Sequence, residues 1–196
     1  MLKLRIVRSS LTLLLAGLLW SASDSVTLAA KAPVLVSNTA WDTTGTLAAK
    51  LQGAPTLKVQ AQALVSFSVT AEGLFEMDIS DGVDTLEVPG TYAQDPRGKL
   101  SMLPDAAALQ TEIHDMIVAS LTEQGYPPES YKSLEVLFQK LSTKAKAGSS
   151  TKTGDFLQVK FQVKFVALLT DLEDFVSVGK GGYSYNGKGG KLPPGI

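Results

Sequence analysis

The chain has no cysteine and a single histidine, His114, in 196 residues. The first absence rules out disulfides, thiol nucleophiles and thiolate metal sites, so the fold must hold by packing alone. The second leaves too few imidazoles for a catalytic dyad or a zinc site, both of which need partners. Asp115 adjoins His114, but adjacent helical positions diverge by about 100°. Glu112 is also off its face, so His114 reads as an incidental surface residue. Aromatics are sparse, with two Trp, five Tyr and seven Phe, too few for the two girdles of an outer-membrane barrel.

Other motifs fail on spacing. Gly179-Lys180-Gly181-Gly182 and Gly187-Lys188-Gly189-Gly190 imitate a phosphate loop in composition only, with neither the required spacing nor a following helix. Asp78 to Asp84 resembles a calcium loop, but its closing position falls on Pro89 instead of a bidentate Glu. Glu76 and Asp78 share the polar face of one strand, an arrangement that suits an acid–base pair but more commonly keeps a hairpin soluble. These readings predict no catalytic residue, no metal and no cofactor, and make an enzyme the least favoured class.

What is present begins with an export signal. Lys3, Arg5 and Arg8 precede an apolar run over residues 11–20, and Ser21-Ala22-Ser23 or Leu28-Ala29-Ala30 follows as a small-residue exit. The run has h-region length and is too short to span a bilayer. Residues 1–30 are therefore expected to be a signal peptide cleaved at about 23–30, with no lipid anchor because no cysteine follows. The expected location is exported, periplasmic or extracellular, with no transmembrane segment after cleavage. Losing Lys3, Arg5, Arg8 and Asp24 leaves 15 basic and 18 acidic side chains, a net charge of −3, which argues against a nucleic-acid partner. Lysines gather in the C-terminal half and acids between 72 and 95.

The dominant pattern is period two. Leu57, Val59, Ala61, Ala63, Val65, Phe67 and Val69 alternate with mostly polar residues, and Leu157, Val159, Phe161, Val163, Phe165, Ala167 and Leu169 repeat the pattern. Such alternation marks half-buried antiparallel strands. Ala71-Glu72-Gly73, Asp81-Gly82 and Asp95-Pro96-Arg97-Gly98 are turn signals. They divide 57–103 into a four-stranded meander, preceded by a strand over about 43–52. Asp105 then caps a helix over about 105–124, with Leu109, Ile113, Met116, Ile117 and Leu121 on one stripe. Its polar face lacks Lys and Arg, which argues against docking on anionic lipid. Residues 130–147 fit either a short helix, through Tyr131, Leu134, Leu137, Phe138 and Leu141, or a strand over about 134–147, the strand being favoured; a loop at 148–151, the second long strand, a turn at 170–174 and a strand over 175–185 follow. Residues 186–196, rich in Gly, Lys and Pro, are expected to be a flexible tail. The fold class is thus mainly β: an antiparallel up-and-down barrel of about eight strands, with one amphipathic helix inserted between strands five and six, and 31–185 forming a single domain.

Trp41-Asp42-Thr43-Thr44-Gly45 and the repeated glycine–aromatic hairpins (Gly73-Leu74-Phe75, Gly90-Thr91-Tyr92, Gly98-Lys99-Leu100) resemble exported bacterial lipocalin-like, or calycin-like, proteins over roughly 38–103. That resemblance implies a barrel whose floor is crossed by Trp41. Thr39 stands where the family has glycine, and the helix precedes strand six instead of following the last strand. The expected role is to bind an apolar small molecule or lipid in the barrel interior, with Trp41, Val65, Phe67, Phe75, Met77, Phe161, Val163 and Phe165 as candidate ligand contacts. The same residues equally describe a packed core. In that case the protein would be a structural or interaction module of the cell envelope without a ligand.

Overall fold

The computed structural model describes residues 32–68, 73–170 and 176–193. The expected signal segment, the turn at 69–72 and the connection at 171–175 lie outside the described residues. Eight strands follow one another: β1 (Thr39–Leu51), β2 (Leu57–Phe67), β3 (Leu74–Ser80), β4 (Thr85–Gln94), β5 (Leu100–Pro104), β6 (Glu135–Ser150), β7 (Gly154–Thr170) and β8 (Val176–Lys191). The helix α1 (Ala106–Glu123) falls between β5 and β6, followed by a 3-10 turn at Pro128–Tyr131. All ladders are antiparallel, in the order β5-β4-β3-β2-β1-β8-β7-β6. β5 and β6 lie side by side without a shared ladder, so the barrel is nearly closed.

The period-two pattern decides which side is in. Ala61, Ala63, Val65 and Phe67 are buried, while Lys58, Gln60 and Gln62 are exposed. Every strand that alternates this way contributes to one continuous core. Asp105 caps α1 by accepting from the N–H groups of Ala107 (2.9 Å) and Ala108 (3.1 Å). Leu109 and Ile113 are buried against the barrel, and Gln110 donates to the Val136 carbonyl of β6. α1 thus covers the unpaired seam and occupies an edge acceptor that would otherwise invite another strand.

Three expectations need correction, two of them in the C-terminal half. Residues 186–191 are no tail but the second half of β8, which pairs with β1 from Trp41↔Lys191 to Leu51↔Gly181. Residues 148–150 are strand, not loop, and only Thr151, Lys152 and Thr153 turn the chain between β6 and β7. β1 also starts at Thr39, so Trp41 and Thr43 lie within the strand.

The glycines of β8 explain why composition misleads there. A Cβ on Gly189 would sit 1.8 Å from the Asp42 carbonyl oxygen, and one on Gly187 would sit 2.0 Å from the Tyr185 hydroxyl. These glycines let an aromatic ring and a neighbouring backbone come close, a use of strand glycine that has nothing to do with flexibility. Phe75 lies over Gly90 and Phe165 over Gly181 in the same manner, each across a ladder.

Candidate functional site: the barrel mouth

The barrel has two unlike ends. At the floor, Trp41 is fully buried and its indole N–H donates to the Thr39 hydroxyl (2.7 Å), which donates in turn to the Val36 carbonyl. Thr39 therefore serves as a bracket where the resemblance led one to expect glycine. Val36 is fully buried as a plug; its N–H donates to Gln94 Oε1 (3.1 Å), and Gln94 Nε2 donates to the Val34 carbonyl (2.8 Å). Just inside, the Tyr185 hydroxyl donates to the Thr43 carbonyl (2.9 Å), and the Thr43 hydroxyl donates to the Ala63 carbonyl (3.1 Å). Burial holds the Tyr185 phenol above its ordinary range, partly offset by its bond to Thr43.

The eight expected contacts, Trp41, Val65, Phe67, Phe75, Met77, Phe161, Val163 and Phe165, are all buried and belong to this one core. The structure brings them together as packed neighbours. The ladders place Val65 opposite Met77 and Phe67 opposite Phe75.

The open space lies at the other end, which carries the β1–β2 and β3–β4 hairpins. A pocket of about 200 Å³ is walled by Leu47 and Ala49 of β1, Leu57 and Val59 of β2, Ile79 of β3 and Leu86 of β4. Tyr183 of β8 and Met116 of α1 complete the wall, and Asp81 and Asp84 stand at the rim. Two of the eight expected residues support it from behind: Val163 pairs with Tyr183, and the Phe165 ring stacks on Tyr183 at 6.1 Å. The signal for the pocket is in the sequence as a run of small and aliphatic inward positions near the hairpins. A search for aromatic contacts passes over it.

The rim is electrostatically defined. Asp81 Oδ1 accepts the N–H groups of Asp84 and Val83, each at 3.0 Å, and these bonds hold its carboxyl below the usual range. Ser80 donates to the Asp84 carbonyl (3.0 Å), fixing the hairpin. Burial pushes the Tyr183 phenol up, and the charge of Asp84 adds to the shift. Where α1 faces β4, burial raises the Glu112 carboxyl, helped by the charges of Glu87 and Asp115. His114 Nδ1 and Asp115 Oδ1 meet at 2.9 Å, although their Cβ vectors diverge along the helix; both are exposed. The expectation that these two point apart is thus corrected, since flexible side chains bridge the angle. Neither residue lines the mouth pocket.

Fold and mouth together define an eight-stranded antiparallel barrel with apolar inward faces, a plugged floor and a small open pocket at its mouth. The chain matches no protein-family model, and neither a curated protein nor a solved structure is detectably similar to it.

Proposed function

We propose that this is an exported, soluble, lipocalin-like barrel that binds an apolar small molecule or a lipid chain at its mouth. The observation that carries the reading is the pocket between the barrel interior and Met116, with aliphatic walls and polar groups confined to the rim. Sites of this build orient a ligand by a few polar groups while apolar walls supply affinity. At about 200 Å³ the space takes one short chain or a single ring, not a bulky ligand. Asp81 and Asp84 make a neutral or cationic polar end the better fit at the rim. Apolar side chains face in and lysines and glutamines face out, the reverse of a barrel embedded in lipid. No helix among the described residues is long and apolar enough to cross a membrane.

The second reading, an interaction module of the cell envelope without a ligand, is favoured by one observation: below the mouth, the eight large inward side chains are packed against one another. Native mass spectrometry and solvent extraction of protein purified from its own host separate the two. A co-purifying apolar species that is lost in Val59→Trp supports carriage. A clean apo spectrum at full yield gives the second reading instead.

A further inference from the structure

The outer face of β6, β7 and β8 has a chemistry of its own. The ladder sets Lys140 opposite Lys164 and Lys144 opposite Lys160, all four exposed. Like charges directly opposite each other on a sheet are destabilising, and this hairpin holds two such pairs. The three strands together carry two carboxylates, Glu135 at the start of β6, opposite Leu168, and Asp155 at the start of β7. Among the described residues the one ion pair is His114–Asp115, so no carboxylate there neutralises the lysines. Asp171, Glu173 and Asp174 of the β7–β8 connection lie outside the described residues.

Toward the mouth end the lysines give way to aliphatics. Leu137 stands opposite Val166 and Leu168 opposite Val178, and Leu137 and Val178 are each 48% exposed. Beside them runs a groove of about 600 Å³, edged by Lys50, Lys164 and Lys180 and floored by Ala48, Gly182 and Ser184. Tyr183 lines both this groove and the mouth pocket, so the two openings meet at one residue.

We infer that this face docks on an anionic phospholipid surface, with its lysines against the phosphates and Leu137 and Val178 at the acyl boundary. Exposed aliphatics bordered by lysines are the pattern of an interfacial anchor, in which apolar contact and attraction to anionic headgroups add. Nucleic acid fits less well. The aromatic on this face, Phe156, is half-buried with the Lys188 ammonium 4.1 Å from its ring centre, leaving little to stack on a base. The anchor is a sheet face, distinct from the lysine-free helix, and its docking does not depend on what fills the mouth.

The test is co-sedimentation of the protein, as its host produces it, with vesicles of phosphatidylcholine alone or mixed with phosphatidylglycerol. Binding is expected to the mixed vesicles only and to fall steeply with salt. A lysine near an anionic surface is worth roughly fivefold in affinity, so K140Q/K164Q and K144Q/K160Q should each weaken binding by about tenfold or more. K99Q/K132Q, off this face, should bind as the parent does. Because each double variant removes a like-charge pair, it should melt no lower than the parent, which separates lost binding from lost fold. Val59→Trp should still bind vesicles, so a failed mouth reading and a failed docking reading are told apart. Equal binding to both vesicle types, or unchanged binding by the glutamine variants, overturns the inference. Salt-sensitive self-association without vesicle binding would assign the lysines to a second copy and overturn it too.

Discussion

Floor and mouth are built from the same strands and the same alternation, yet one is closed and the other open. At the floor the inward positions are Trp41, Thr43 and Tyr185, large or hydrogen-bonded, with Val36 inserted as a plug. At the mouth they are Ala49, Leu47 and Val59, and the covering group is a methionine on a separate helix. The alternation decides which side chains point inward. Their size and hydrogen bonding decide whether the space they point into is filled.

Four outcomes would sharpen or break that contrast. The largest effect is expected for Trp41→Ala, about 3–5 kcal/mol of stability by urea denaturation. Met116→Ala at the mouth should cost under about 2 kcal/mol, the low end for Met-to-Ala changes, because the site is only partly buried. Equal losses at the two ends would erase the distinction. Next is Gly189→Ala, where the new Cβ meets the backbone of Asp42 and Thr43; overpacking of this kind costs about 1–3 kcal/mol, seen as a lower thermal midpoint. Tyr185→Phe leaves the Thr43 carbonyl without its donor and should cost about 1–3 kcal/mol by urea denaturation. An unchanged urea midpoint in Tyr185→Phe would show that the bond contributes nothing to the floor.

The smallest effect is in pH. The Tyr183 phenol is held above its ordinary value, so its neutral form is favoured in the fold. That contribution is complete below about pH 10 and is lost as pH rises through the folded value. Asp81 runs the other way: its lowered carboxyl contributes above the ordinary carboxylate range and ceases to as pH falls. Asp81 is exposed, so its share is small after solvent screening. At high pH both ends should loosen, since the Tyr185 phenol at the floor is raised as well, but on acidification hydrogen exchange of the β3–β4 hairpin should quicken before that of the floor does. Uniform loosening along the strands on acidification would contradict this.

Much of the architecture was legible because burial on one side writes itself as period two. β3 reads correctly to the residue as 74–80, and the helix to within a residue or two, because Asp105 caps it and Gly125 stops it with φ +81°. The C-terminal strand was legible only over its first part, expected at 175–185, because beyond Tyr185 Gly187 and Gly189 occupy inward positions where the pattern expects apolar side chains. Their contribution belongs to the rings and backbones that lie against them. The eight interior residues were found because they are large. The mouth was missed because its walls, mostly Leu, Ile and Val, read like any other inward positions of the same strands, and alternation does not say where the filling stops. Whether residues 148–150 turn or pair depends on β7 across the ladder, which local composition does not contain.

The pairing of β1 with β8 has a consequence in time. Trp41 and Lys191 are partners in one ladder although nearly the whole of the described chain separates them. A chain emerging amino-terminus first can complete the β1–β5 meander early, but β1 keeps an open edge until residue 191 is available. Contacts of such long sequence separation slow folding, and an exposed edge invites pairing with other chains until it is covered. Closure thus waits for the glycine-rich strand, read from composition as a flexible tail, to reach β1.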